Sequence, residues 1–426
     1  MSATFRLPSP GLPPEPFVRI LRSLCIATAL WCDPLASQQP VGTTDVMWAN
    51  TTGNGTPVLD ARVHYPAVST GVGARIGAPP RSAGFPVIVF LHGYAVLGND
   101  YGAMGDAIAE AGYVAVMLNT AMFSHTTMEL DTQALFAAMV QETNDPQSPF
   151  FGKLDMERAG VMGHSMGASV IVYLLNEDPS TDPTTACINP GYVCGLALAP
   201  VDPSLASSFS PVVDVPIGCV SGLGDTLTPP VVHALPFYQS VTPSQGLKFH
   251  YMFGPACDHL NMCGLAPNSP AVFERVKTIF EGFFGHFMQG SKTGLEGILG
   301  VDGLSDPNLS NLQIETYVPQ TWADSELHIG QTSRVSISID GLFGLVLAAN
   351  SLSPGPLPTP FGDLLLDPVS VGTFQQGLTA SQRFDATVAV PNNPALIGVS
   401  IALQGSSPTA NEPFRLGSAV SFVVQP

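Results

Sequence analysis

The chain has 426 residues, 45% hydrophobic and 11% charged, with 42 glycines and 40 prolines. Its apolar fraction excludes a disordered chain, and its length suits two domains. With 33 acidic against 15 basic residues the formal net charge is −18 and no basic block stands anywhere, which disfavours nucleic-acid and polyanionic partners.

The chain opens with a leader-like pattern. Arg19 and Arg22 precede the apolar run Ser23–Trp31, and Pro34-Leu-Ala-Ser37 offers a cleavage site. This predicts a signal peptide over residues 1–37 and a secreted or periplasmic protein. No run of about 20 apolar residues follows it, so no membrane span is expected.

From residue 58 to 288 short β-rich runs alternate with helix-period segments. Strands are predicted at 61–65, 86–91, 113–118, 158–163, 193–199, 216–221 and 248–253, with helices at 100–111, 129–142, 166–176 and 270–288. Such alternation predicts an α/β fold with a mostly parallel sheet covered on both faces, here assigned to residues 40–290. The Gly-rich, polar stretch 291–305 reads as a linker. Beyond it, period-two runs at 313–318, 333–339, 342–348, 384–390, 395–403 and 419–424, punctuated by Pro and Gly, predict a smaller all-β, sandwich-like domain over 306–426.

The leader carries Cys25 and Cys32, which leaves five cysteines beyond it. Cys187 and Cys194 flank a Pro-Gly turn, and Cys257 and Cys263 bracket Asp258 and His259. An exported chain would suit two short disulfides, 187–194 and 257–263, with Cys219 a buried thiol. Zinc on Cys257, His259 and Cys263 is the rival; it lacks a fourth ligand and would consume a histidine needed below. No metal is expected.

Gly163-His-Ser-Met-Gly167 is G-x-S-x-G between a predicted strand and an apolar helix. Glycines on both sides let the chain turn sharply and expose the serine oxygen above the sheet. A serine hydroxyl is a poor nucleophile at neutral pH and needs a base, which in turn needs an orienting acid. In this architecture the chain order is serine, acid, histidine. Asp225 and His259 each follow a strand's C-terminal end, so Ser165, Asp225 and His259 are the expected triad. Asp202 remains a substitute acid, and Asp258 adjoins the histidine but would diverge from it. His125 sits in a loop where it could touch substrate. The N–H of Met166 and that of Tyr94, after Leu91-His-Gly, are placed to bind the oxyanion, with the Tyr94 ring over the acyl group. His92 reads as a structural anchor of that loop.

The run from Gly152 to Gly167, with Phe90-Leu-His-Gly-Tyr94, Ala199-Pro200, Gly224-Asp225 and the cysteine-flanked His259, resembles α/β-hydrolases of the bacterial cutinase and poly(ethylene terephthalate) hydrolase type. Residues 90–101 are also similar to chlorophyllase-type esterases. The resemblance implies a secreted serine hydrolase of exposed carboxylic esters, polyesters included, that needs no cofactor. It places Tyr94, Met166 and Val201 at the substrate. Val201 stands where that family usually has Trp, and Ala168 where it has Gly, which predicts weak action on aromatic polyesters. The alternative expectation is a small-molecule carboxylesterase or lipase of the chlorophyllase-like kind. Only residues 201–215 separate the strands ending at 199 and starting at 216, too few for a helical lid. An open site is therefore expected. The chain is expected to be a monomer, and for the β domain, which carries no catalytic constellation, surface or polymer attachment, spacing and stabilisation all stay open.

Overall fold

Phe85–Leu91 is buried at every position, as a strand covered on both faces must be. Its side chains alternate between two cores: Val87, Val89 and Leu91 join one cluster, Ile88 and Phe90 the other. This strand lies inside a ten-stranded sheet. The computed structural model describes residues 39–181, 185–205, 211–243, 246–266, 270–379, 381–409, 412 and 414–426. The expected signal peptide therefore lies outside the described residues.

The sheet is built from β1 (Val41–Ala49), β2 (Val58–Pro66), β3 (Gly71–Val72), β4 (Phe85–Leu91), β5 (Val114–Leu118), β6 (Leu154–His164), β7 (Tyr192–Leu198), β9 (Ile217–Gly222), β11 (Leu247–Phe253) and β12 (Leu309–Thr316). Two-residue strands β8 (Val212–Val213) and β10 (Thr242–Pro243) pair separately. The spatial order is β12-β11-β9-β7-β6-β4-β5-β2-β1-β3. The contiguous strands from β5 to β11 are all parallel, flanked by antiparallel β2 on one side and antiparallel β12 on the other. Helices α2 (His125–Asn144) and α3 (Met166–Leu174) pack on one face. Helices α1 (Gly102–Glu110) and α5 (Pro270–Phe284) cover the other, and the short α4 (Ala234–Ser240) lies beyond β9. The expected parallel α/β sheet is present, extended by β1 at an edge that sequence periodicity did not single out.

The expected linker and the first expected β-domain strand behave differently. Residues of the 291–305 stretch form helical turns α6 (Glu296–Leu299) and α7 (Val301–Leu304). Strand β12 then pairs antiparallel with β11, inside the ten-stranded sheet. Without it β11 would present a row of unpaired backbone groups. Leu309, Leu312 and Ile314 pack against the α5 cluster, which gives this strand a reason to join that sheet.

Separate antiparallel sheets follow. One joins β13 (Thr321–Ala323), β14 (Thr332–Ser338) and β19 (Arg383–Ala389). The other joins β15 (Phe343–Ala349), β18 (Gly372–Leu378), β20 (Ser400–Ser407) and β21 (Arg415–Val423), with a hairpin of β16 (Leu352–Thr359) and β17 (Gly362–Leu366) alongside. Val335, Ile337, Val346, Phe384, Ala386, Leu403 and Phe422 form their shared core.

Candidate active site

Loops at the C-terminal ends of β4, β6, β7, β9 and β11 carry Tyr94, Ser165 with Met166, Val201 with Asp202, Asp225, and Asp258 with His259, while His125 follows β5. That edge of a parallel sheet is where such folds place ligands. Ser165 leaves β6 at φ 56°, ψ −118°, a strained conformation for a residue with a side chain, and α3 starts at the next position. The turn needs both glycines. A Cβ on Gly163 would lie 2.6 Å from the Gly167 backbone, and one on Gly167 would lie 2.4 Å from the Leu91 carbonyl oxygen. Ser165 N–H donates to Leu198 O (2.9 Å) and Ser165 O accepts from Ser169 N–H (3.2 Å), so the strained residue is held from two sides.

His259 Nδ1 lies 2.7 Å from Asp225 Oδ2. A carboxylate only accepts, so Nδ1 carries the proton and Nε2 is the bare, basic nitrogen. The other Asp225 oxygen accepts from the N–H groups of Leu227 (2.9 Å) and Thr228 (2.8 Å), and the Thr228 hydroxyl reaches Oδ2 at 2.7 Å. Burial works to raise the Asp225 pKa, but the bond and charge of His259, with the Thr228 donors, outweigh it and hold the carboxyl below its ordinary value. Thr228 also lies 3.0 Å from His259 Nδ1. Sequence reasoning missed it; the available signal was a Thr three residues after the acid, a spacing that favours side-chain capping of the turn.

The rival acids are occupied elsewhere. Asp202 Oδ1 accepts from the backbone and hydroxyl of Ser204, and Asp258 Oδ1 accepts from the N–H groups of Leu260 and Asn261. His125 is the first residue of α2, and burial lowers its pKa. His92 is fully buried, its ring nitrogens 2.8 Å from Gly93 O and Thr120 O, tying the β4 loop to the β5 loop.

Backbone donors around the serine divide in two. Gly93 N–H is taken by Tyr101 Oη and Gly167 N–H by His92 O. The N–H groups of Tyr94 and Met166 meet no protein acceptor among the described residues. Val201 N–H reaches Ser165 O at 3.4 Å, which sets this half-buried residue beside Ser165. Tyr94 (61% exposed) and Phe123 (62%) meet edge to face at 5.3 Å, and Leu227 is 66% exposed, giving the site an apolar rim.

Cys219 is a buried thiol, as expected, but the two expected disulfides are not formed. Cys257 and Cys263 are thiols, each aimed at a carbonyl of its own turn: Asp258 O (3.9 Å) and Leu260 O (3.2 Å). Burial pushes both up to about 12, so neither is a thiolate at neutral pH. Cys194 is also a thiol, turned by β7 into the core, so the 187–194 staple is not formed.

A parallel sheet covered by helices on both faces, with a serine elbow after its central strand, defines an α/β-hydrolase. Residues 42–263, just over half of the chain, match a family model described as PET hydrolase-like, and the chain belongs to that family. Among curated relatives, Cutinase 2 of Thermobifida cellulosilytica is 27% identical over 175 residues, 40% of this chain and 60% of the relative. Cutinase cut1 of Thermobifida fusca is 27% identical over 175 residues, 40% of this chain and 49% of the relative. A bis(hydroxyethyl) terephthalate hydrolase of Streptomyces coelicolor is 28% identical over 192 residues, 44% of this chain and 56% of the relative. The matched stretch thus spans about half to three-fifths of these relatives. No helix among the described residues is long and apolar enough to cross a membrane.

Proposed function

We propose that the protein is a secreted serine esterase that cleaves carboxylic esters, polyesters among them, through an acyl-enzyme on Ser165. The observation that carries this reading is the His259–Asp225 bond, which leaves Nε2 basic, on the same sheet edge as a strained serine and two unclaimed N–H groups. His259 Nε2 takes the Ser165 proton as Oγ attacks the ester carbonyl. The carbonyl oxygen becomes an oxyanion facing the N–H groups of Tyr94 and Met166. The tetrahedral adduct collapses, His259 protonates the leaving alcohol, and water repeats the sequence on the acyl-enzyme. Family membership and the likeness to the cutinase and terephthalate-ester hydrolase relatives support the substrate class. The leader-like start of the sequence supports export.

Of the connection after β7, residues 206–210 lie outside the described ones; Pro203–Leu205 is a single helical turn. Its length and the exposed rim support an open site. Val201 in place of an aromatic residue favours a second reading, a small-molecule carboxylesterase of the chlorophyllase-like kind.

Full chain should hydrolyse short-chain nitrophenyl esters below their aggregation point, without a rate jump above it. It should release product from aliphatic polyester film faster than from aromatic film. Ser165→Ala should lower each rate by at least about 10³-fold. Film inert beside rapid nitrophenyl-ester turnover would favour the second reading. Undiminished turnover by Ser165→Ala would remove the nucleophile assignment.

A further inference from the structure

Two buried side chains beside the triad have no part in the steps above. Tyr101, at the end of the helical turn before α1, and His164, just before Ser165, are each 1% exposed. Gly93 N–H donates to Tyr101 Oη at 2.9 Å, Tyr101 Oη lies 2.9 Å from His164 Nδ1, and His164 Nε2 lies 2.8 Å from the His259 carbonyl oxygen.

Proton directions follow from the end groups. A carbonyl only accepts, so His164 Nε2 carries the hydrogen, and in the neutral ring Nδ1 is bare. The Tyr101 hydroxyl must then donate to Nδ1, while its oxygen accepts from Gly93. Every group is satisfied once, in a single sense. Burial, foremost, lowers the His164 pKa to about 3 and raises that of Tyr101, so neither changes charge near neutrality. The chain of bonds is static rather than a proton path.

Its ends are what matter. Gly93 precedes Tyr94, His164 precedes Ser165, and the carbonyl belongs to His259 itself. The rings also meet in order, each pair tilted by 50–56°: Phe90 and Tyr101 (4.8 Å between centroids), Tyr101 and His164 (5.7 Å), His164 and His259 (4.5 Å). Loops from β4, β6 and β11 are thereby tied through two side chains.

We propose that Tyr101 and His164 are positioning residues for ester hydrolysis, holding the Tyr94 N–H and the His259 backbone in register with Ser165. This rests on Ser165 being the nucleophile. A side chain that only fills the core would change how much enzyme folds, whereas a positioning group changes the rate of each folded site.

The test compares wild type, Tyr101→Phe, His164→Gln, His164→Phe and the Phe/Phe double variant on nitrophenyl butyrate. Active sites are counted by organophosphate titration. Tyr101→Phe keeps the ring and removes only the hydroxyl. Its kcat per titrated site should fall on the order of 10- to 100-fold, with KM within about twofold. His164→Gln can still donate to the His259 carbonyl, so it should match Tyr101→Phe, while His164→Phe should be slower. The double variant should be no slower than His164→Phe, because one chain is cut in both. Wild-type kcat per titrated site in Tyr101→Phe, or multiplicative losses in the double variant, would overturn the proposal. If Tyr101→Phe does not fold, wild-type kcat in His164→Gln would overturn it equally. Ser165→Ala is assayed in parallel: activity there would sink the nucleophile assignment, whereas an inactive Ser165→Ala beside an unimpaired Tyr101→Phe would sink only this inference.

Discussion

Ser165 adopts a positive φ that an L-residue enters at a cost of about 1–3 kcal/mol. Ala95, Ala121 and Ala199 do the same just past the C-terminal ends of β4, β5 and β7, and Ala186 does so away from that edge, in the loop before β7. Four of the five positive-φ non-glycine residues among the described residues thus lie on the edge that carries the candidate site. Burial, foremost, depresses His164 to about 3, and His250 and His286 to about 4. Each stays neutral when folded but binds a proton near pH 6.5 once unfolded. The unfolded state therefore binds more protons between pH 6.5 and 3–4, and stability must fall as pH falls through that window. At pH 5 each histidine costs about 2 kcal/mol relative to neutral pH. Thermal unfolding followed from pH 7.5 to 5 should show Tm dropping steadily, with part of the drop removed in His250→Phe. A flat Tm over that range would contradict the burial argument.

At the scale of elements, β12 is the informative piece. Its backbone closes the outer edge of β11, and buried Lys248 on β11 meets Glu315 on β12 at 2.9 Å. A chain ending at residue 290 loses this strand and should be insoluble or unfolded, whereas one ending near residue 317 retains the ten-stranded sheet. Far-UV circular dichroism and yield of soluble protein for the two truncations would check this; a folded, active 40–290 fragment would refute it. Sequence periodicity located β4, β5, β6, β7, β9 and β11 and the helices α1, α2, α3 and α5, because strands buried on both faces are continuous apolar runs. It could not assign β12, since Gln313–Val318 alternates like any edge strand and nothing local says which sheet it joins. The expected triad could be named because Ser165, Asp225 and His259 each sit just past a readable strand, and the structure joins two of its members, His259 and Asp225. Thr228 and Tyr101 were not, since their roles depend on hydrogen bonds between loops brought together only by the fold. The cysteines misled because spacing suggested pairing, while the backbone of each turn aims its thiol elsewhere.

Over the whole molecule, the second set of sheets is fastened to the hydrolase side rather than strung from it. Buried Glu296 accepts from Trp322 Nε1 (3.0 Å) and pairs with Arg334, while Lys292 meets Glu326 at 2.8 Å and Arg383 reaches Leu299 O at 3.2 Å. Trp322 itself packs into the α5 cluster. The proposed esterase chemistry depends on one atom, Ser165 Oγ, being the activated group of the intact chain. The direct measurement is to treat the full-length protein with a fluorophosphonate and locate the adduct by peptide mass spectrometry. One adduct per chain on Ser165, with esterase activity lost in step and no adduct in Ser165→Ala, is the predicted result; stoichiometric labelling at another residue, or full activity with Ser165 modified, would contradict it.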